Sequence, residues 1–274
     1  MIKLLYLFCA LFALSSCSKH YIQIFDTSTT NTSESSGYYV FETDSVKITY
    51  DFWESKGAMS FSVFNKLDKP IYIDWKNSSF IHNSNKLNYW IDEQQSTLVS
   101  YYGNYFYNGP LIKPGYTLNS GVQASSSRSI KPERVTFIPP KSNYSRVQFH
   151  LFPVDYFNMD PKKITKTIVP RDDNPKKKTI VYQQSFDFAT TPLHFRNFLA
   201  FSFAENSSNF FYIDNEFYLK SVKEMDFRHF HGKLTKGPDG NVDYEKKEKK
   251  KTSFYIQLAT PNSIDYRTQF GIVN

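Results

Sequence analysis

The chain has 274 residues, with 33 Lys and Arg against 26 Asp and Glu, a formal charge of +7 at pH 7. Aromatic residues make up 18% of it, 26 Phe and 20 Tyr among them, which is ample for a packed core and favours strands over helices. It has two cysteines, Cys9 and Cys17.

The N-terminus carries one cation, Lys3, and then an uncharged apolar run over residues 4–14, the pattern of a secretory signal. A helix rising ~1.5 Å per residue needs about 20 apolar residues to cross the hydrocarbon core, so this run is too short for a permanent span. It ends in Leu14-Ser15-Ser16-Cys17, which resembles the bacterial lipobox. The resemblance implies removal of residues 1–16 and a diacylglyceryl group on the Cys17 sulfur. An anchor of two or three acyl chains is effectively permanent, whereas one chain binds reversibly. Cys9 leaves with the signal and Cys17 is consumed by lipid, so no free thiol is expected in the mature chain. Loss of Lys3 leaves 32 cations against 26 anions, a formal +6. That excess is diffuse, and export argues against nucleic acid as a partner.

Residues 17–37 are expected to be the lipid anchor and a flexible tether, because 26–37 are small, polar and nearly free of apolar side chains. The preceding 21–25 alternate like a strand that either docks on the body or hangs free. From Tyr38 the period is two. Val46, Ile48, Tyr50 and Phe52 alternate with polar residues, as do Met59, Phe61 and Val63, and a turn at 65–70 leads into Ile71-Tyr72-Ile73-Asp74-Trp75. Further strands are predicted at 134–138, 147–152, 180–188, 195–203, 217–222 and 253–259.

Many short strands and almost no helical period predict an all-β fold, an antiparallel β-sandwich. Residues 59–75 resemble immunoglobulin-like modules in envelope lipoproteins of the Bacteroidetes type. That resemblance implies an immunoglobulin-like sandwich over 38–169 and a cell-envelope location, and it carries no catalytic residues over. The proline-bounded, charged segment 170–178 is expected to be an interdomain linker, with a second β-rich unit over 180–274; the alternative is a long loop within one larger sandwich. The charged stretch 233–251 is expected to protrude as a hairpin.

Three features bear on chemistry. His229 and His231 would face one way on a strand and share a metal ion, but they make only half a site, and two exposed polar residues around an inward Phe230 is the simpler reading. Tyr89, Trp90, Tyr101, Tyr102, Tyr105 and Tyr107 cluster in 88–110 with Gly and Asn, a composition that suits either a core-covering loop or a sugar-stacking surface. Lys176 to Lys178 and Lys246 to Lys251 would either contact phosphate on lipid or polysaccharide or serve as solvated faces. No nucleophile elbow, zincin signature or P-loop occurs.

The expected function is therefore a non-enzymatic interaction or assembly module, needing no cofactor and held on a membrane through Cys17. Its expected partner is an envelope protein or a glycan. A carbohydrate-binding lipoprotein and a metal-dependent hydrolase are the alternatives. Ser18-Lys19-His20 lacks the acidic run that the resemblance to Bacteroidetes-type lipoproteins implies for surface export, so the periplasmic face of the outer membrane is expected rather than the cell surface.

Overall fold

The computed structural model describes residues 20–91, 133–205, 207–236 and 242–258. The fold is all-β, an antiparallel sandwich of one large and one smaller sheet. The smaller sheet runs β2 (Ser33–Ser35), β3 (Tyr38–Glu42), β4 (Val46–Tyr50), β5 (Ala58–Asn65) and β9 (Asn143–His150) in that spatial order. Alternation works here as the sequence implies. Val46, Ile48 and Tyr50 point into the core while Lys47 and Thr49 do not, and β5 adds Met59, Phe61 and Val63.

The nine-stranded sheet is organised by β13 (Phe211–Asp226), a strand of 16 residues. One edge of β13 pairs first with β12 (His194–Ser202) and then with β11 (Lys178–Ser185), and the other edge pairs with β1 (Tyr21–Thr29). β6 (Ile71–His82) pairs with β12 and carries β7 (Asn85–Asn88) and β8 (Val135–Ile138) on its far edge. β10 (Thr165–Pro170) extends β11, and β16 (Ser253–Leu258) extends β1. A five-residue helix, α1 (Phe227–His231), and a small hairpin of β14 (Leu234–Lys236) and β15 (Val242–Tyr244) complete the described elements.

Three expectations about organisation are corrected. The supposed tether is structured, because β1 lies between β13 and β16 with Ile22, Ile24 and Phe25 fully buried. Its polar residues order without apolar burial by bonding to their neighbours. Thr27 Oγ1 donates to the Thr252 carbonyl at 2.5 Å, Asn31 Nδ2 donates to the Asp214 carbonyl at 2.6 Å, and the Glu216 amide donates to Asn31 Oδ1 at 3.1 Å. Ser36 (φ 52°) and Gly37 (φ 78°) then close the β2–β3 hairpin with the positive φ that a two-residue primed turn requires.

The expected linker 170–178 is the turn between β10 and β11, closed by the Arg171 amide on the Lys177 carbonyl at 2.8 Å. Nor does a boundary separate 38–169 from 180–274. β6 and β12 are neighbours in one sheet, and Phe52 meets Phe195 at 5.3 Å and Phe217 at 5.1 Å in a shared core.

That core contains a polar chain. The Tyr50 hydroxyl donates to Asn215 Oδ1 at 2.8 Å and accepts from Asn197 Nδ2 at 3.1 Å, while the Tyr89 hydroxyl donates to Asn197 Oδ1 at 2.8 Å. All four side chains are 2% exposed or less. Burial raises the pKa of both phenols well above the ordinary range. Asn215 Nδ2 is the one buried side-chain polar atom without a partner among the described residues.

Candidate functional site

On β12 the residues between Phe195, Asn197 and Leu199 face away from the core, which turns His194, Arg196 and Phe198 to the outer face of the large sheet. On β13 their cross-strand partners are Tyr218, Glu216 and Asp214. Arg196 reaches diagonally and pairs with Asp214 through Nε, at 3.0 Å, and through its terminal nitrogen. This bidentate bond holds the guanidinium pKa above its usual value. Glu216 accepts from Thr30 Oγ1 at 3.3 Å.

Two turns wall this face into an open cleft of about 530 Å³. One is Asn83-Ser84, closing the β6–β7 hairpin at φ 45° and 70°. The other is residues 186–193, where Asp187 Oδ1 accepts from the Thr190 amide at 2.7 Å and its hydroxyl at 2.6 Å. Those bonds depress the Asp187 pKa and fix the bend. Asn83 ties the walls together, accepting from the His194 amide at 2.7 Å and donating to the Pro192 carbonyl at 3.3 Å. Phe188 projects from the second wall, 43% exposed, with its ring perpendicular to those of His194 at 4.8 Å and Tyr218 at 5.3 Å. The cleft thus offers an aromatic surface, a guanidinium locked to a carboxylate, and the carboxylate of Glu216.

The residues singled out from sequence fall elsewhere. Cys17, Tyr101, Tyr102, Tyr105 and Tyr107 lie outside the described residues. Tyr89 is not a stacking platform, since it is 2% exposed and hydrogen-bonded inside the core. Trp90 packs half-buried against the same core.

His229 and His231 are not on a strand. Asp226 ends β13 and caps α1, accepting from the Arg228 amide at 2.8 Å, and Gly232 stops the helix at φ 67°. Residues two apart on a helix do not face each other. His229 Nδ1 accepts from the Asp172 amide at 3.1 Å, and His231 packs on Tyr244 with ring centres 4.4 Å apart. Among the described residues no three His, Cys, Asp or Glu side chains come close enough to hold a metal ion. None of the described helices is long and apolar enough to cross a membrane.

The sequence reading missed the cleft itself, running a strand through 180–188 although Ser185 ends it. The overlooked signal was Asp187-Phe188-Ala189-Thr190-Thr191-Pro192, whose Asp-x-x-Thr and Pro spell a turn. No protein-family model, no curated protein and no solved structure matches the chain.

Proposed function

We propose that the protein is a lipid-anchored module of the cell envelope that acts by binding rather than by chemistry, and that the cleft beside Arg196 receives a glycan. The observation that carries the reading is the exposed ring of Phe188 lining the same cleft as Arg196, whose guanidinium is paired with Asp214. A sugar ring presents apolar C–H faces together with hydroxyls that both donate and accept. An aromatic surface meets the first, and adjacent guanidinium and carboxylate groups meet the second.

The lipobox resemblance at Leu14-Ser15-Ser16-Cys17 supports the anchor, and the periplasmic face of the outer membrane is the proposed location. Metabolic labelling with a fatty-acid analogue tests it: label on the wild type and none on Cys17→Ser is expected, and equal labelling of the two overturns it. The glycan is tested by screening the purified protein on envelope polysaccharide fragments, followed by calorimetric titration of the hits. Phe188→Ala should weaken binding about tenfold, as expected for losing roughly 1.4 kcal/mol of ring contact. Absence of any hit, or affinity untouched by Phe188→Ala, refutes the glycan assignment.

A protein partner is the second reading, favoured by the aromatic residues that continue along the same outer face. Tyr212 and Phe137 are each 54% exposed, and Tyr72 joins Phe137 at 5.5 Å.

A further inference from the structure

The ordered fold begins almost at the lipid. Ser18, Lys19 and His20 alone separate Cys17 from Tyr21, the first residue of β1, so the extended chain spans at most about 14 Å between them. That end of β1 lies beside Asp226, the C-terminal end of β13, and the His20 carbonyl accepts from the Phe227 amide at 2.9 Å. Everything attached to α1 is therefore gathered at the anchored end. The Asp172 bond to His229 brings in the β10–β11 turn, and the Lys246 amide on the His231 carbonyl, at 3.2 Å, brings in the β14–β15 hairpin.

This end has an unusual surface. Leu234, Val242 and Tyr244 are 61%, 51% and 43% exposed, three large apolar side chains on two strands of three residues each. Leu234 pairs with Tyr244 and Lys236 with Val242, so the three share one hairpin face with a lysine. On the β10–β11 turn Lys176, Lys177 and Lys178 are exposed, and neither they nor Lys233 and Lys236 pair with a carboxylate among the described residues. Apolar side chains flanked by lysines suit the boundary between headgroups and acyl chains, where the rings and methyls sit inward and the ammonium groups meet phosphate. The reach of 14 Å is comparable to a Debye length of about 10 Å at 0.1 M salt, so the anchor holds these cations within range of an anionic surface.

We propose that the β14–β15 hairpin and the β10–β11 turn form a membrane-docking surface for anionic phospholipid, holding the sandwich upright on its anchored end. The proposal rests on lipid attachment at Cys17. The test uses the full lipidated protein, extracted from cells and reconstituted into vesicles of phosphatidylcholine with or without phosphatidylglycerol. Leu234→Cys and Tyr212→Cys each introduce one free thiol at an exposed site for an environment-sensitive fluorophore. Tyr212 is at the far end of β13, 14 residues from Asp226 and about 45 Å away at ~3.3 Å per residue.

Nitroxide-headgroup lipids should quench the probe at 234 several-fold more than the probe at 212. The difference should grow with phosphatidylglycerol and shrink in Lys233→Gln/Lys236→Gln. Equal quenching at the two sites, stronger quenching at 212, or indifference to phosphatidylglycerol overturns the docking surface. Mass analysis of the N-terminal lipopeptide from the same sample separates the two ideas. An unmodified Cys17 overturns the anchor and the docking together, whereas a lipidated chain with an unquenched probe at 234 overturns docking alone.

Discussion

Tyr50→Phe removes one oxygen from the middle of the buried polar chain and tests whether that chain holds the two sheets in register. Two groups lose a partner at once, Asn215 Oδ1 and Asn197 Nδ2, and the amide of Asn215 is then left with neither side-chain atom bonded. No solvent compensates, because Tyr50, Asn197 and Asn215 are each 0% exposed. At about 1–3 kcal/mol for each stranded buried group, Tyr50→Phe should cost about 2–6 kcal/mol, while Tyr89→Phe, which strands only Asn197 Oδ1, should cost about 1–3 kcal/mol. For a fold of this size each kcal/mol lost lowers Tm by roughly 2–4 °C. Urea unfolding and calorimetry read the two losses. The double variant should lose less than the sum, since both hydroxyls act on Asn197. A Tyr50→Phe protein within about 0.5 kcal/mol of wild type, or one less affected than Tyr89→Phe, would refute the reasoning.

Two further predictions follow from tight or buried positions. A methyl group on Gly57 (φ +66°) would sit 2.8 Å from Phe254 Cγ and 3.0 Å from Leu151 Cβ, so Gly57→Ala should cost about 2–5 kcal/mol in chemical denaturation through left-handed strain and overpacking. A loss under about 1 kcal/mol would show that the site yields. Burial holds the His82 imidazole pKa below its ordinary 6.5, with Nε2 donating to the Leu151 carbonyl at 3.0 Å. Below about pH 6.5 the unfolded chain takes up a proton that the folded chain refuses, so His82 adds stability above that pH and loses it as pH falls through the depressed value. The stability slope between about pH 7 and 5 should flatten in His82→Gln, and an unchanged slope would exclude His82 as its source.

Strand identity was legible at Val46, Ile48 and Tyr50, where one face meets the core, because alternation is a local consequence of the pleat, but it was not read at 76–82 or 211–216 although Phe80 and Ile213 are buried there. What composition misjudged was residues 26–37. Short polar side chains are read as flexible because they bury little, yet Thr27 and Asn31 are held by backbone groups of Thr252 and Asp214, 225 and 183 positions away. Such a partner cannot be seen from the segment itself. The same holds for 170–178, where proline and charge mark a turn as readily as a linker, and only the pairing of Pro170 with Lys178 decides between them. At 226–232 the local signs were present: Asp226 as a cap and Gly232 as a stop outweigh the period of two in His229-Phe230-His231.

The cleft was least legible because its walls come from the β6–β7 turn and residues 186–193, about a hundred positions apart, and its floor from two strands paired in the tertiary fold. Its place on β13 has a consequence for the proposed anchoring. Glu216 lies 10 residues from Asp226, so the cleft would stand roughly 33 Å above the anchored end along one unbroken strand. A flexible tether would let such a site sample every height and orientation. With a leash of only three residues and the docking surface proposed above, the cleft would stay near that height and would face material beyond the lipid headgroups, which is where an envelope polymer or a partner protein would be met.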